Sequence, residues 1–204
     1  MAQVYPFAAW LAAGEIAPSV SSLPYDVMNR AEAKEMAAGN PINFLRVTRS
    51  EIELPEDISP YSPAVYQRAA ENWRKLCSEV LQQDQQASYY IYSLVWQGRR
   101  QTGVVAAASV ADYDQEIIRK HERTRKEKED DRTRHISTLR AQTGPVFMTY
   151  RDSKEVNAIV ADTMNDQPLF DFLASDGIRH SGWRVPQKFT AALQAAFAAI
   201  PLLY

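Results

Sequence analysis

Hydrophobic positions recur along this chain with two periods, one near 3.6 and one near 2. The longest helical stripe runs through Val65, Tyr66, Ala69, Ala70, Trp73, Leu76, Cys77, Val80 and Leu81, behind Ser62 as cap and Pro63 as first helical residue. Shorter helical stretches are expected at 30–38, where Asn29 caps and Gly39 closes, and at 126–141, 154–164 and the alanine-rich 187–199. Alternating or β-rich runs predict strands at 3–11, with Pro6 near an edge, at 42–48 and at 145–150. Two hairpins are expected, 88–96 with 102–110 across Gln97-Gly98-Arg99-Arg100, and 169–174 with 178–185 across Ser175-Asp176-Gly177; an apolar strand begins at 200. The pattern predicts an α+β fold, a mixed and largely antiparallel sheet with packed helices, in one domain over 1–204.

The same periods assign sides. In 42–48, Phe44 and Arg46 fall on one side and Leu45 and Val47 on the other, so Arg46 is a candidate anion ligand or an edge arginine paired with a carboxylate. Tyr90, Tyr92, Leu94 and Trp96 share one face, expected as aromatic core packing; beside Arg99 and Arg100 the same row is able to stack single-stranded bases. Cys77 within the helical stripe reads as a small buried hydrophobe, and His180 is expected to face solvent. Pro24 stiffens a loop that presents Tyr25 and Asp26, either for binding or with Asp26 as a cap, and Asn40-Pro41 is a chain break. The acidic stretch 51–61, with Pro55 and Pro60, reads as an irregular surface connection.

Composition narrows the function classes. The 204 residues are 46% hydrophobic, enough for a substantial core, and the net charge of -2 gives no global field for nucleic acid, which disfavours it as a partner. A single cysteine excludes an internal disulfide, and no Cys/His cluster has zinc spacing, so the expected home is the reducing cytoplasm. No basic leader precedes an apolar run, and no apolar segment reaches the roughly 20 residues of a membrane span.

Candidate chemistry concentrates in 120–135, where His121 and His135 stand among seven basic and five acidic residues. On spacing alone such a run is a solvated helix face. In a helix, however, Lys128, Asp131, Arg132 and His135 lie at offsets of three, four and seven and share a side with Ile136 and Leu139, which turns them towards the body of the protein.

Leu23-Pro24-Tyr25-Asp26-Val27, Asn40-Pro41-Ile42-Asn43-Phe44-Leu45-Arg46-Val47, Gly103-Val104-Val105-Ala106, Lys120-His121-Glu122-Arg123-Thr124 and Glu129-Asp130-Asp131-Arg132 occur in this order. Together they resemble the bacterial and archaeal domain-of-unknown-function family numbered ten-fifteen, over nearly the whole chain. A departure is Trp10-Leu11-Ala12, where members carry Arg-Pro after the aromatic. The resemblance implies that the chain is the amino-terminal part of a longer member, or a shortened one lacking half of a composite site. Members continue after a segment like Pro201-Leu202-Leu203-Tyr204 into a block similar to the phosphate-binding motif of the ParB/sulfiredoxin-like superfamily. That superfamily contains DNA clamps, sulfiredoxin and a kinase for free serine.

The resemblance therefore implies a nucleotide-dependent phosphotransferase for a small metabolite such as serine, using ATP or ADP with Mg2+, or else a non-catalytic nucleotide-binding or DNA-associated ParB-like module. A structural domain is the remaining alternative. Phosphoryl transfer needs phosphate donors, metal-holding carboxylates and a base. His121, Glu122 and Asp131 are the candidate catalytic groups, with Asp130 and Asp131 for metal. Arg46, Arg123, Thr124, Arg125, Lys128, Arg132, Tyr25, Asp26 and Asn40 are the candidate phosphate and substrate contacts, Thr124 being equally placed as a helix cap.

Overall fold

The computed structural model describes residues 2–121 and 124–204. In chain order the elements are β1 (Val4–Tyr5), β2 (Trp10–Ala12), α1 (Ala17–Val20), α2 (Arg30–Met36), α3 (Leu45–Thr48), α4 (Pro63–Glu79), β3 (Leu81–Gln83), β4 (Tyr90–Trp96), β5 (Arg99–Val105) and β6 (Ala107–Ala108). They continue with α5 (Val110–Asp114), α6 (Lys126–Leu139), β7 (Thr149–Tyr150), α7 (Lys154–Thr163), β8 (Phe170–Leu173), β9 (Arg179–Arg184), α8 (Thr190–Ala198) and β10 (Leu202–Leu203). The fold is α+β, as the pattern predicts, and its strand pairs are antiparallel in the sheets described below. The chain divides into two compact units, the first made of Met1–Glu15, Gln83–Arg123 and Val146–Tyr204, the second of Ile16–Gln82 and Thr124–Pro145.

The first unit is built on a four-stranded sheet in the order β5-β4-β9-β8. The β4–β5 hairpin at one edge closes more tightly than expected: Gln97 and Gly98 both have positive φ, 49° and 75°, so a two-residue turn joins Trp96 directly to Arg99. Alternation along β4 sends Ile91 and Ser93 inward, where Ile91 joins Trp183, Val185, Leu193 and Phe197 in the core, and Tyr92 and Trp96 to the other side. In the aromatic row Tyr90, 6% exposed, is packed as expected, and Tyr92 and Trp96 are not. The interior side takes the aliphatic and small residues, and the rings of Tyr92 and Trp96 are left exposed.

Other expectations for this unit change where local polar groups intervene. The strand expected over 3–11 is split at Pro6, which has no N–H for a ladder; β1 pairs β6, and Phe7 bridges Ser88. Of the strand expected at 145–150 only β7 forms, and Phe147 is 69% exposed; β7 pairs with β10, so the final apolar run is docked. His180 does not simply face solvent: it is half-buried, stacked on Phe172 with ring centroids 5.3 Å apart. The helix expected over 187–199 begins with a 3₁₀ turn at Gln187–Phe189.

In the second unit no strand forms at 42–48. The Asn43 side chain accepts from the Leu45 N–H at 2.9 Å and the Asn40 side chain from the Ile42 N–H at 3.2 Å, and these local bonds turn the chain into α3. Asn29 caps α2 through a reciprocal pair with Glu32, as the sequence predicts. Between α1 and α4 the backbone is mostly irregular, and its carbonyls are met by arginines. Arg30 donates to the carbonyls of Glu51, Leu54, Pro55 and Glu56. Arg46 donates through Nε to Asn40 O at 2.9 Å, through Nη2 to Ala37 O at 2.8 Å and through Nη1 to the Glu53 carboxylate. Arg49 donates to the carbonyls of Tyr25 and Met28, both at 2.8 Å, and to Glu51. Glu51 is only 4% exposed, so the start of the acidic 51–61 stretch is interior rather than surface.

Arg49→Met leaves a buried carboxylate and two carbonyls without their donor, and is expected to destabilise the protein by about 3–5 kcal/mol. Equilibrium urea unfolding of the variant measures this.

Candidate functional site

Helix α6 opens with Arg125 at its cap position, whose carbonyl accepts from the N–H groups of Lys128 and Glu129 at 2.9 and 3.0 Å. It ends at Arg140 in the left-handed conformation, φ 53°. Along one side, Leu139 and His135 are buried, Asp131 and Arg132 are partly buried, and Lys128 and Arg125 are exposed. The side that packs into the second unit at its C-terminal end becomes exposed and charged at its N-terminal end, where Arg125 and Lys128 stand beside Glu129.

Asp131 is the hinge of this arrangement. Its Oδ1 accepts from the Tyr66 hydroxyl at 2.7 Å, and its Oδ2 accepts from Arg132 Nε and Nη2 at 2.9 and 2.6 Å. Burial, then the hydrogen bond to Asp131, pushes the Tyr66 hydroxyl up to about 12, so it stays a donor at all physiological pH. The Arg132 guanidinium carbon sits 4.2 Å from the centre of the Tyr25 ring, a cation–π contact that holds the group flat. Arg49 fixes the Tyr25 loop from below through the Tyr25 carbonyl. Arg132 Nη1 is the nitrogen not used in the pair with Asp131.

His135 is 3% exposed and points Nε2 at the Val47 carbonyl, 3.0 Å away. Nδ1 is buried and has no hydrogen-bond partner among the described residues. Burial, the largest influence, lowers its pKa, partly opposed by the Val47 bond; the imidazole is neutral, with its proton on Nε2.

The structure brings some of the sequence-predicted residues together and separates others. Tyr25, Asp131 and Arg132 are brought together as one cluster, with Lys128 and Arg125 continuing along the helix. Arg46 and Asn40 serve the scaffold: each nitrogen of the Arg46 fork has an acceptor, and Asn40 donates to Ser19 O at 2.7 Å. Asp26 and Thr124 are exposed, and Asp130 is exposed with Lys126 Nζ at 2.8 Å. His121 belongs to the first unit, where its Nδ1 and the Tyr204 backbone oxygen are 2.9 Å apart. Glu122 and Arg123 lie outside the described residues.

Among the described residues no group of three or more His, Cys, Asp or Glu side chains is placed to hold a metal ion, and no helix is long and apolar enough to cross a membrane. Asp130 and Asp131 are sequence neighbours on a helix and diverge by about 100°. Two contributors were missed by sequence reasoning. Tyr66 passed as one apolar position of the α4 stripe, and Arg134, whose guanidinium carbon is 5.4 Å from the Tyr66 ring centre, passed as a solvated charge. With Pro63, Gln67 and Thr138 these two line an open depression of about 310 Å³. The signal available was the lone hydroxyl in a stripe that α6 had to cover.

A model of a family described as "Protein of unknown function (DUF1015)" matches residues 4–204. No curated protein matches the chain, and no solved structure does.

Since the folded His135 resists protonation, the unfolded chain takes up a proton first as pH falls through its ordinary value near 6.5. Stability is therefore complete above that value and declines below it. In His135→Gln, which keeps an amide donor for Val47, this decline is expected to flatten between about pH 7 and 5, as measured by urea midpoints across that range.

Proposed function

We propose, for a chain that belongs to the DUF1015 family of proteins of unknown function, that the Arg132 side of α6 binds the phosphate groups of a nucleotide or other phosphorylated metabolite without transferring them. The observation that carries this reading is the clamped guanidinium of Arg132, fixed between the Asp131 carboxylate and the Tyr25 ring with Nη1 left for a ligand. Lys128 and Arg125 add positive charge on the same side, next to Glu127 and Glu129 of the first turn. A phosphate held by Arg132 would meet a preorganised group, so little side-chain entropy is lost on binding.

Binding is favoured over transfer by the state of Asp131. Its oxygens already accept three hydrogen bonds, which leaves about one lone pair, on Oδ1, and among the described residues no cluster of carboxylates or imidazoles joins it to hold Mg2+. Phosphotransfer to a small hydroxyl substrate such as serine also needs a base, for which His121 and Glu122 are the sequence candidates. A ParB-like DNA-associated role would use the same side on a polymer phosphate, with an affinity falling steeply in salt.

Adenine, guanine and cytosine nucleotides, with and without Mg2+, are expected to raise the melting temperature, and Arg132→Ala and Tyr25→Ala to lower affinity about tenfold or more. Calorimetric titration measures the affinity. Turnover of ATP with serine that disappears in Glu122→Gln would replace this reading by the phosphotransferase one. Absence of any shift at millimolar nucleotide would leave a structural domain.

A further inference from the structure

The exposed side of the four-stranded sheet carries a row of rings with an empty end. Phe172 on β8 stacks on His180 of β9, planes 16° from parallel. His180 lies 6.0 Å from Tyr92 of β4, planes 33° apart, and its Nδ1 is 2.6 Å from the Tyr92 hydroxyl. The residue opposite Tyr92 on the next strand, β5, is Gly103, where a Cβ would meet nothing within 4 Å. One strand spacing, about 4.8 Å, is close to the separation of stacked rings, so a further flat ring fits beside Tyr92 over Gly103.

The rest of this side suits a polyanion bearing such rings. Tyr92 is 36% exposed, and Trp96, on the same side of β4 and about 13 Å further along, is 53% exposed. Gln101 and Arg99 follow Gly103 on the same side of β5, opposite Leu94 and Trp96. Residues 90–105 contain no Asp or Glu; Arg99 is on this side, and Arg100, opposite Val95, is on the other. Asp176, in the β8–β9 turn, is a carboxylate whose field reaches Tyr92 and His180, which directs a phosphate chain along β4 and β5 and away from β8.

We propose that the open face of β4 and β5 binds single-stranded nucleic acid, with one base stacked on Tyr92 over Gly103, another on Trp96, and the backbone passing Arg99. A polymer is the fitting occupant because one stacked base attracts weakly, whereas two separated rings and the Arg99 charge act together only on a connected strand. This surface lies within the first unit and does not depend on the phosphate reading of α6.

The test is fluorescence anisotropy with labelled single strands of about 12 nucleotides at low salt. Tyr92→Ala and Trp96→Ala are each expected to weaken binding about 5- to 100-fold, and Tyr92→Phe, which keeps the ring, to retain it. Gly103→Val, at an ordinary backbone conformation with open space around it, is expected to fold with an unchanged melting temperature and to lose affinity. Arg99→Ala is expected to reduce the slope of log affinity against log salt by about 0.7. The proposal is overturned if no strand binds, if binding survives Tyr92→Ala and Trp96→Ala, or if duplex or free mononucleotide binds as tightly as single strand. Self-association abolished by Trp96→Ala, with no strand bound, would assign the face to a second copy instead.

Discussion

Backbone carbonyls in irregular chain are the constraint on which the second unit depends. Between α1 and α4 there is little ladder or helix to satisfy them, and a buried carbonyl without a donor costs about 1–3 kcal/mol. Arg30, Arg46 and Arg49 meet this need by reaching across the fold to carbonyls of residues far from them in sequence. Guanidinium suits the task because one planar group serves several acceptors at fixed angles and keeps its charge when partly buried. The Tyr25 loop, and through it the Arg132 platform, inherits its position from Arg49.

The same device of an aspartate shared between a tyrosine and an arginine recurs in both units. In the second, Asp131 accepts from Tyr66 and Arg132; in the first, Asp84 accepts from Tyr90 at 2.6 Å and from Arg184 Nε at 2.9 Å. In each case burial, then the aspartate bond, pushes the tyrosine up to about 12. The recurrence shows that such a triad is a way of seating a carboxylate within a fold. It weakens any inference from a carboxylate beside an arginine to catalysis.

Helix-period features were the most legible in the sequence. The α4 stripe, the Asn29 cap and the side of α6 that holds Asp131, Arg132 and His135 follow from spacing, because their partners lie one turn away or on a whole helix face. Arg46 was not legible as scaffold, since its acceptors are backbone atoms that no residue type announces. The 42–48 segment had a strand's alternation, but Asn40 and Asn43 closed local turns that outcompeted it. For β4 the period was right and Tyr90 is buried as expected, but Tyr92 and Trp96 on its side are exposed, because alternation cannot say how far along a strand a face stays covered.

The interleaving of the two units has a kinetic meaning. Completing the first unit requires contacts such as the Tyr89 hydroxyl on the Val4 carbonyl, 85 residues apart, and the Gln3 N–H on Asp112, 109 residues apart. Most of the second unit is the chain enclosed by those contacts. Ring closure over a long flexible segment is entropically costly, and the cost falls if the enclosed segment has already become compact. The inserted helical unit is thus positioned to act as an internal folding aid, shortening the effective loop over which β1 must find β6.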